Sequence, residues 1–182
     1  MSSPKSAYSI PTKKGKLDTH IFVVWVDNES GVLARVVGLF SGRGYNIESL
    51  AVAEVDATKN ISRITIVTTG TPQVIDQIKL QLKKLVPVHK VADFKREDKN
   101  VIFKEMALFK FVASSEKLIK AFKACKNFNP VILDHAKKSK VIQITALRRE
   151  IDKMSKNLKK FGLVSVSRTG AVAMTRGSEI FK

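Results

Sequence analysis

From His20 onward the apolar residues follow two alternating rhythms. Ile21 to Val26 is an unbroken β-rich apolar run, the pattern of a buried strand. Asp27 to Gly31 is polar and reads as a loop. Val32, Val36, Leu39 and Phe40 then recur at helical spacing, with Ser30 as the expected N-cap and Gly42 and Gly44 as the expected stop. Ile47 to Val55 reads as a second strand and Asp56 to Asn60 as a polar turn. Ile61 to Thr68 is a third strand, in which Ile64 and Ile66 alternate against Arg63 and Thr65. Thr71 and Pro72 open a second helix, as cap and first helical residue, whose stripe is Val74, Ile75, Ile78, Leu82 and Leu85. Val86 to Phe94 completes a βαββαβ order, the ferredoxin-like arrangement.

The charged segment Lys95 to Asn100 reads as a linker, after which the order returns. Phe103 to Ala113 is a strand, and Ser115 to Lys126 a helix with Leu118, Ile119 and Phe122 inward. Val131 to Asp134 and Val141 to Thr145 are strands. Leu147 to Phe161 is a helix with Ile151, Met154, Leu158 and Phe161 inward, and Leu163 to Val166 a further strand. Gly170 to Met174 adds one more. The expected fold class is therefore α+β, with two ferredoxin-like βαββαβ domains spanning residues 20–95 and 96–182 and joined near residue 97. Residues 1–19 carry little that packs and read as a mobile N-terminal tail. A sheet with helices on one face only leaves the other face for water or a partner. The first sheet is rich in Val, Ile and Leu, so association through its face or edge, in at least a homodimer, is expected.

Charge changes this picture less than its size implies. The 182 residues carry a formal net charge of +17. Residues 21–94 hold 8 Lys/Arg against 7 Asp/Glu, whereas residues 95–182 hold 21 against 8. The excess thus sits in the second half, where it reads as a solvated lysine-rich surface or a contact with an acidic partner. The longest apolar runs are far too short to span a bilayer, and a single cysteine, Cys125, forms no internal disulfide. The N-terminal twenty residues lack the apolar core of a secretory signal.

Catalytic chemistry is hard to assemble from these residues. His20, His89 and His135 fall at strand positions outside any nucleophile motif. Asp27 with Glu29, and Glu54 with Asp56, read as solvated loop charges rather than an acid–base pair. No CxxC or HExxH metal spacing occurs, and Gly42-Arg43-Gly44 follows a helix instead of opening one, unlike a phosphate loop. Arg43 to Ile47 has the basic-glycine-aromatic look of an RNA-recognition sheet. It lies before the second strand, however, and positions 47 and 50 are Ile and Leu where bases would need aromatics.

The loop after the first strand delivers unpaired main-chain amides at a helix N-terminus, where an anion is favoured. Gly31 removes side-chain bulk so that a carboxylate can approach, although a plain capped loop fits the same residues. Asn46, entering the second strand, offers both a donor and an acceptor. A zwitterion needs both kinds of group, and side-by-side dimerisation would bring one loop from each subunit together.

Asp27 to Leu50, DNESGVLARVVGLFSGRGYNIESL, closely resembles the ACT domain of the acetolactate synthase (acetohydroxyacid synthase) small, regulatory subunit. The match continues through Ser62 to Val67 and Gln77 to Val86, and returns at Arg168-Thr169-Gly170 and Thr175-Arg176-Gly177. It covers roughly residues 20–180, with its loosest stretch at the Phe103 opening and a lysine-rich 115–160. The resemblance implies an N-terminal ACT domain, an ACT-like C-terminal domain and no catalysis by this chain. It implies that the chain binds and activates the catalytic large subunit and confers feedback inhibition by valine or another branched-chain amino acid. Asn28, Gly31, Val32 and Leu33 would line the valine site from one subunit, and Asn46 and Ile47 from its mate. Thiamine diphosphate, Mg and FAD would belong to the catalytic partner. No nucleic acid or membrane is implied, and the expected location is a bacterial cytoplasm rather than a plastid. A free-standing ACT-type amino-acid sensor acting on another enzyme is the alternative.

Overall fold

The first sheet is ordered by its hydrogen-bond register. In the computed structural model, which describes residues 17–178, β1 (Asp18–Asp27) lies centrally, flanked by β3 (Ile61–Gly70) and β4 (Val88–Lys95). β2 (Ser49–Asp56) forms the outer edge beside β3, giving the order β2-β3-β1-β4, antiparallel throughout. Helices α1 (Val32–Ser41) and α2 (Pro72–Lys83) cover one face. Alternation puts Phe22, Val24, Val26, Ile64, Ile66 and Val91 on that face, packed against Val36, Phe40, Ile75, Ile78 and Leu82.

The second sheet has the same order, with β6 (Val131–Ala136), β7 (Ser139–Ala146), β5 (Val101–Val112) and β8 (Leu163–Arg168) side by side. Helices α3 (Ser115–Cys125) and α4 (Arg148–Leu158) contribute Leu118, Ala121, Ile151, Met154 and Leu158 to a core with Phe109, Phe111, Ile142 and Ile144. The expected extra strand is β9 (Val172–Thr175), which pairs with β5 and makes this a five-stranded sheet. The described residues form two compact units, Ile102–Met174 and residues 17–101 with 175–178. Among the described residues no helix is long and apolar enough to cross a membrane.

The expected α+β architecture of two βαββαβ units is present, with differences at particular ends. Residues 1–16 of the expected tail lie outside the described residues, but Asp18 and Thr19 belong to β1. They are polar, yet they pair with Gly70 and Thr69 in the ladder, and Thr19 exchanges a side-chain hydrogen bond with Thr69. Strand β4 starts at Val88 rather than Val86, because Pro87 has no N–H for a ladder and Val88 N turns back to Leu85 O. The predicted cap Ser30 does not cap α1. Gly31 occupies that position in a left-handed conformation (φ 85°), and no side chain bonds to the helix amides.

The sheet face turned away from α1 and α2 also differs from expectation. Ile21, Val23 and Val67 alternate onto it and are buried within the single chain. The edge remains open: on β2, Val52 and Val55 stay 44% and 50% exposed.

Candidate functional site

The loop Asp27 to Gly31 is fixed by its neighbours before any ligand is considered. Asp27 N donates to Pro87 O at 2.9 Å and Asn28 N to Asn60 O at 2.7 Å. His89 Nε2 lies 2.6 Å from Asp27 Oδ1. Ser62 Oγ donates to Asn28 Oδ1 at 3.0 Å, which leaves the amide NH2 of the exposed Asn28 as the donor turned away from Ser62. Helix α1 then begins with neither a side-chain cap nor an acidic residue in its first turn. Beyond Val32, its first amides have no side-chain cap and lie at the positive end of the helix dipole. Val32 N is turned to Glu29 O at 3.3 Å, and its side chain is buried in the core, so Val32 offers no side-chain surface. Leu33 is 41% exposed and does.

The second predicted group lies past the other end of α1. Gly44 (φ 69°) reverses the chain, Tyr45 N returns to Phe40 O at 2.9 Å, and the Tyr45 ring meets Phe40 edge-on. Tyr45 OH donates to Gln77 Oε1 on α2. Asn46 follows, with its side chain exposed, and its main-chain carbonyl accepts from Thr68 Oγ1 at 2.7 Å. Of its two acceptors, the side-chain carbonyl is the one without that commitment. Ile47 is half-buried against the core.

The two groups do not meet within one chain. Asn28 is tied to Ser62 and Asn46 to Thr68, six residues apart along β3, a separation of about 20 Å. Ser62 and Thr68 are the residues the sequence reading missed. Their signal was present: both occupy the inward phase of β3, with Ile64 and Ile66, where a polar residue needs a partner.

Elsewhere the chemistry stays structural. His20 is buried and pairs with Asp93 at 2.6 Å, whose other oxygen lies 3.9 Å from Lys79 Nζ. His135 is exposed. Thr58 Oγ1 and the Lys59 amide donate to exposed Asp56 and hold its carboxyl below the usual range, so it closes a turn. Burial pushes the Cys125 thiol up to about 11. A thiol reagent at pH 8 should accordingly leave Cys125 unmodified in the native protein and label it after denaturation, as mass spectrometry would read. No group of His, Cys, Asp and Glu among the described residues is placed to hold a metal ion.

The geometry can be set beside known proteins. Residues 22–90 match the family model of the AHAS small subunit-like ACT domain, and residues 104–177 that of the small subunit of acetolactate synthase. An acetolactate synthase small subunit from Aquifex aeolicus is 38% identical over 169 residues, covering 92% of this chain and 86% of that protein. The chain belongs to the acetolactate synthase small-subunit family. A probable member from Methanothermobacter thermautotrophicus is 38% identical over 88% of this chain and 95% of its own length. The crystal structure of the Thermotoga maritima acetolactate synthase small subunit superposes with a TM-score of 0.79 at 34% identity, covering 88% of this chain and 99% of that one. The first family match contains both predicted half-sites, from Asn28 to Leu33 and at Asn46 and Ile47, and the second contains the Arg168 to Gly170 motif.

Proposed function

We propose that this chain is the regulatory subunit of an acetolactate synthase, a non-catalytic chain that binds and activates the catalytic large subunit. On this reading it also confers feedback inhibition by valine or a related branched-chain amino acid. The observation that carries the reading is the opposed placement of two polar half-sites at the ends of one ACT sheet, in a chain of this family. Thiamine diphosphate, Mg and FAD belong to the catalytic partner.

The effector site is built from two copies of the chain. The first residue of β2 pairs near the Thr68 end of β3, and the last pairs with Ile61. When β2 pairs antiparallel with its copy, the start of one strand lies beside the end of the other. Asn46 of one subunit then approaches Asn28 and Gly31 of its mate. The half-exposed Val52 and Val55 are covered by the same contact. The Asn28 amide NH2 and the first α1 amides receive the carboxylate, and the Asn46 side-chain carbonyl receives the ammonium. Leu33 and Ile47 shape the apolar side. Charge-assisted hydrogen bonds of roughly 1.5–3 kcal/mol each suffice for micromolar-to-millimolar sensing.

Regulation follows from linkage. Valine and the catalytic subunit favour different arrangements of the dimer, with a reciprocal coupling of about 1–3 kcal/mol. A bacterial cytoplasmic location fits this role. Mixing the chain with an acetolactate synthase catalytic subunit is expected to raise its activity, and adding valine to lower it again. Absence of activation would overturn the proposal.

A further inference from the structure

The two half-sites share a feature that their separation hides. Each contains an exposed asparagine, and each asparagine is held by a buried hydroxyl of the same strand. Ser62 Oγ, 5% exposed, donates to the side-chain carbonyl of Asn28 at 3.0 Å. Thr68 Oγ1, 1% exposed, donates to the main-chain carbonyl of Asn46 at 2.7 Å. Ser62 pairs with Val26 and Thr68 with His20, so both lie on the sheet face that carries the core, among Phe22, Val24, Ile64 and Ile66. Hydroxyls at such positions require partners, and both find them in the loops that precede α1 and β2.

We infer that Ser62 and Thr68 are positioning residues for the effector, and that β3 acts as the rigid bar presetting both halves of the site. This rests on the proposed valine site. The two tethers do different work. At Asn28 the hydroxyl donates to Oδ1 and so holds that end of the amide toward β3. With Oδ1 occupied by Ser62, the Asn28 NH2 is presented, which suits a carboxylate and repels an ammonium. At Asn46 the hydroxyl occupies the main-chain carbonyl, fixes the loop after Gly44, and leaves the side-chain carbonyl for the ammonium. The pair thereby fixes the polarity of the bound zwitterion as well as its location. Preset donors bind more tightly because less ordering is left to occur on binding.

The two residues are reached by different substitutions. Ser62→Ala removes the hydroxyl and frees the Asn28 amide to rotate. Thr68→Val removes the hydroxyl at nearly constant shape. Calorimetric titration of the full chain with valine is expected to show affinity weakened about three- to tenfold in each variant, the size of one lost hydrogen bond. Thr68→Ser, which retains the hydroxyl, is expected to restore most of the affinity. Asn28→Asp keeps an acceptor for Ser62 but presents a carboxylate, and is expected to abolish valine binding without lowering the thermal midpoint. Unchanged valine affinity in Ser62→Ala and Thr68→Val would overturn the inference while leaving the valine site intact. Affinity lost in Thr68→Ser as fully as in Thr68→Val would overturn it as well, since packing rather than the hydroxyl would then be responsible. Absence of valine binding by the unaltered chain would instead remove the site on which the inference rests.

Discussion

Gly31→Asp is expected to raise the half-inhibitory valine concentration of the assembled enzyme at least tenfold. Gly31 has φ 85° and ψ −11° at the N-cap of α1, a conformation that costs other L-residues about 1–2 kcal/mol. Aspartate is among the residues that tolerate it best. A Cβ added there meets no atom within 4 Å, so the chain accommodates the side chain without a clash. The harm is electrostatic. The first α1 amides have no side-chain cap, and a carboxylate at residue 31 is attracted to them. It takes the place proposed for the ligand's carboxylate and repels that group. Losing one charge-assisted hydrogen bond of about 1.5–3 kcal/mol weakens binding by roughly ten- to a hundredfold. Gly31→Ala carries the same backbone strain without the charge, and should retain most of the valine response. Calorimetry that finds unchanged valine affinity in Gly31→Asp would refute the site.

The second large effect concerns stability and lies in the second unit. Glu105 on β5 is 3% exposed, an unusual place for a carboxylate. Arg168 at the end of β8 resolves it with a two-pronged contact, Nε to Oε1 at 2.6 Å and Nη2 to Oε2 at 2.8 Å. Its remaining Nη1 donates to Asp152 Oδ1 on α4 at 2.6 Å. The bond to Glu105, foremost, pushes the Arg168 guanidinium further toward its charged form. Arg168→Ala strands a buried carboxylate and also unties α4 from the sheet. Removing one partner of such a pair costs several kcal/mol. Because Arg168 keeps 29% of its side chain exposed, about 3 kcal/mol is expected. That is a large fraction of a typical domain's stability, and should lower the thermal midpoint by several degrees. Arg168→Lys keeps the charge but loses the planar fork, so it should recover only part of the loss. Additive effects of Glu105→Ala and Arg168→Ala in a double-mutant cycle would show that the pair is not coupled.

Arg168 also shows where a local reading stops. Arg168-Thr169-Gly170 is noticeable in the sequence, but nothing near it indicates Glu105, sixty-three residues earlier. The elements themselves were legible because periodicity is local: Val36, Leu39 and Phe40 face the core wherever α1 packs. The cap of α2 was legible for the same reason, since Thr71 accepts from Val74 N, three residues on. The cap of α1 was not. Ser30 has the right chemistry, yet the chain passes through a left-handed Gly31, and backbone angles imposed by the loop decide which residue stands at the helix end. Val32 stands in the proposed site through its main-chain amide, and its phase on α1 sends the side chain into the core.

The sequence by itself determined the two βαββαβ units, most of their helical faces, and the resemblance of Asp27 to Leu50 to a regulatory ACT domain, because spacing along the chain carries that information; Ile119 on α3, expected inward, is instead 55% exposed. Only the tertiary structure decided that Asn28 and Asn46 lie at opposite ends of one sheet, held by Ser62 and Thr68 of β3. The reason is physical. Which residues share a strand is a matter of nearest neighbours, but how far apart two loops end up depends on the antiparallel register of β1, β2 and β3, set by packing across the whole sheet.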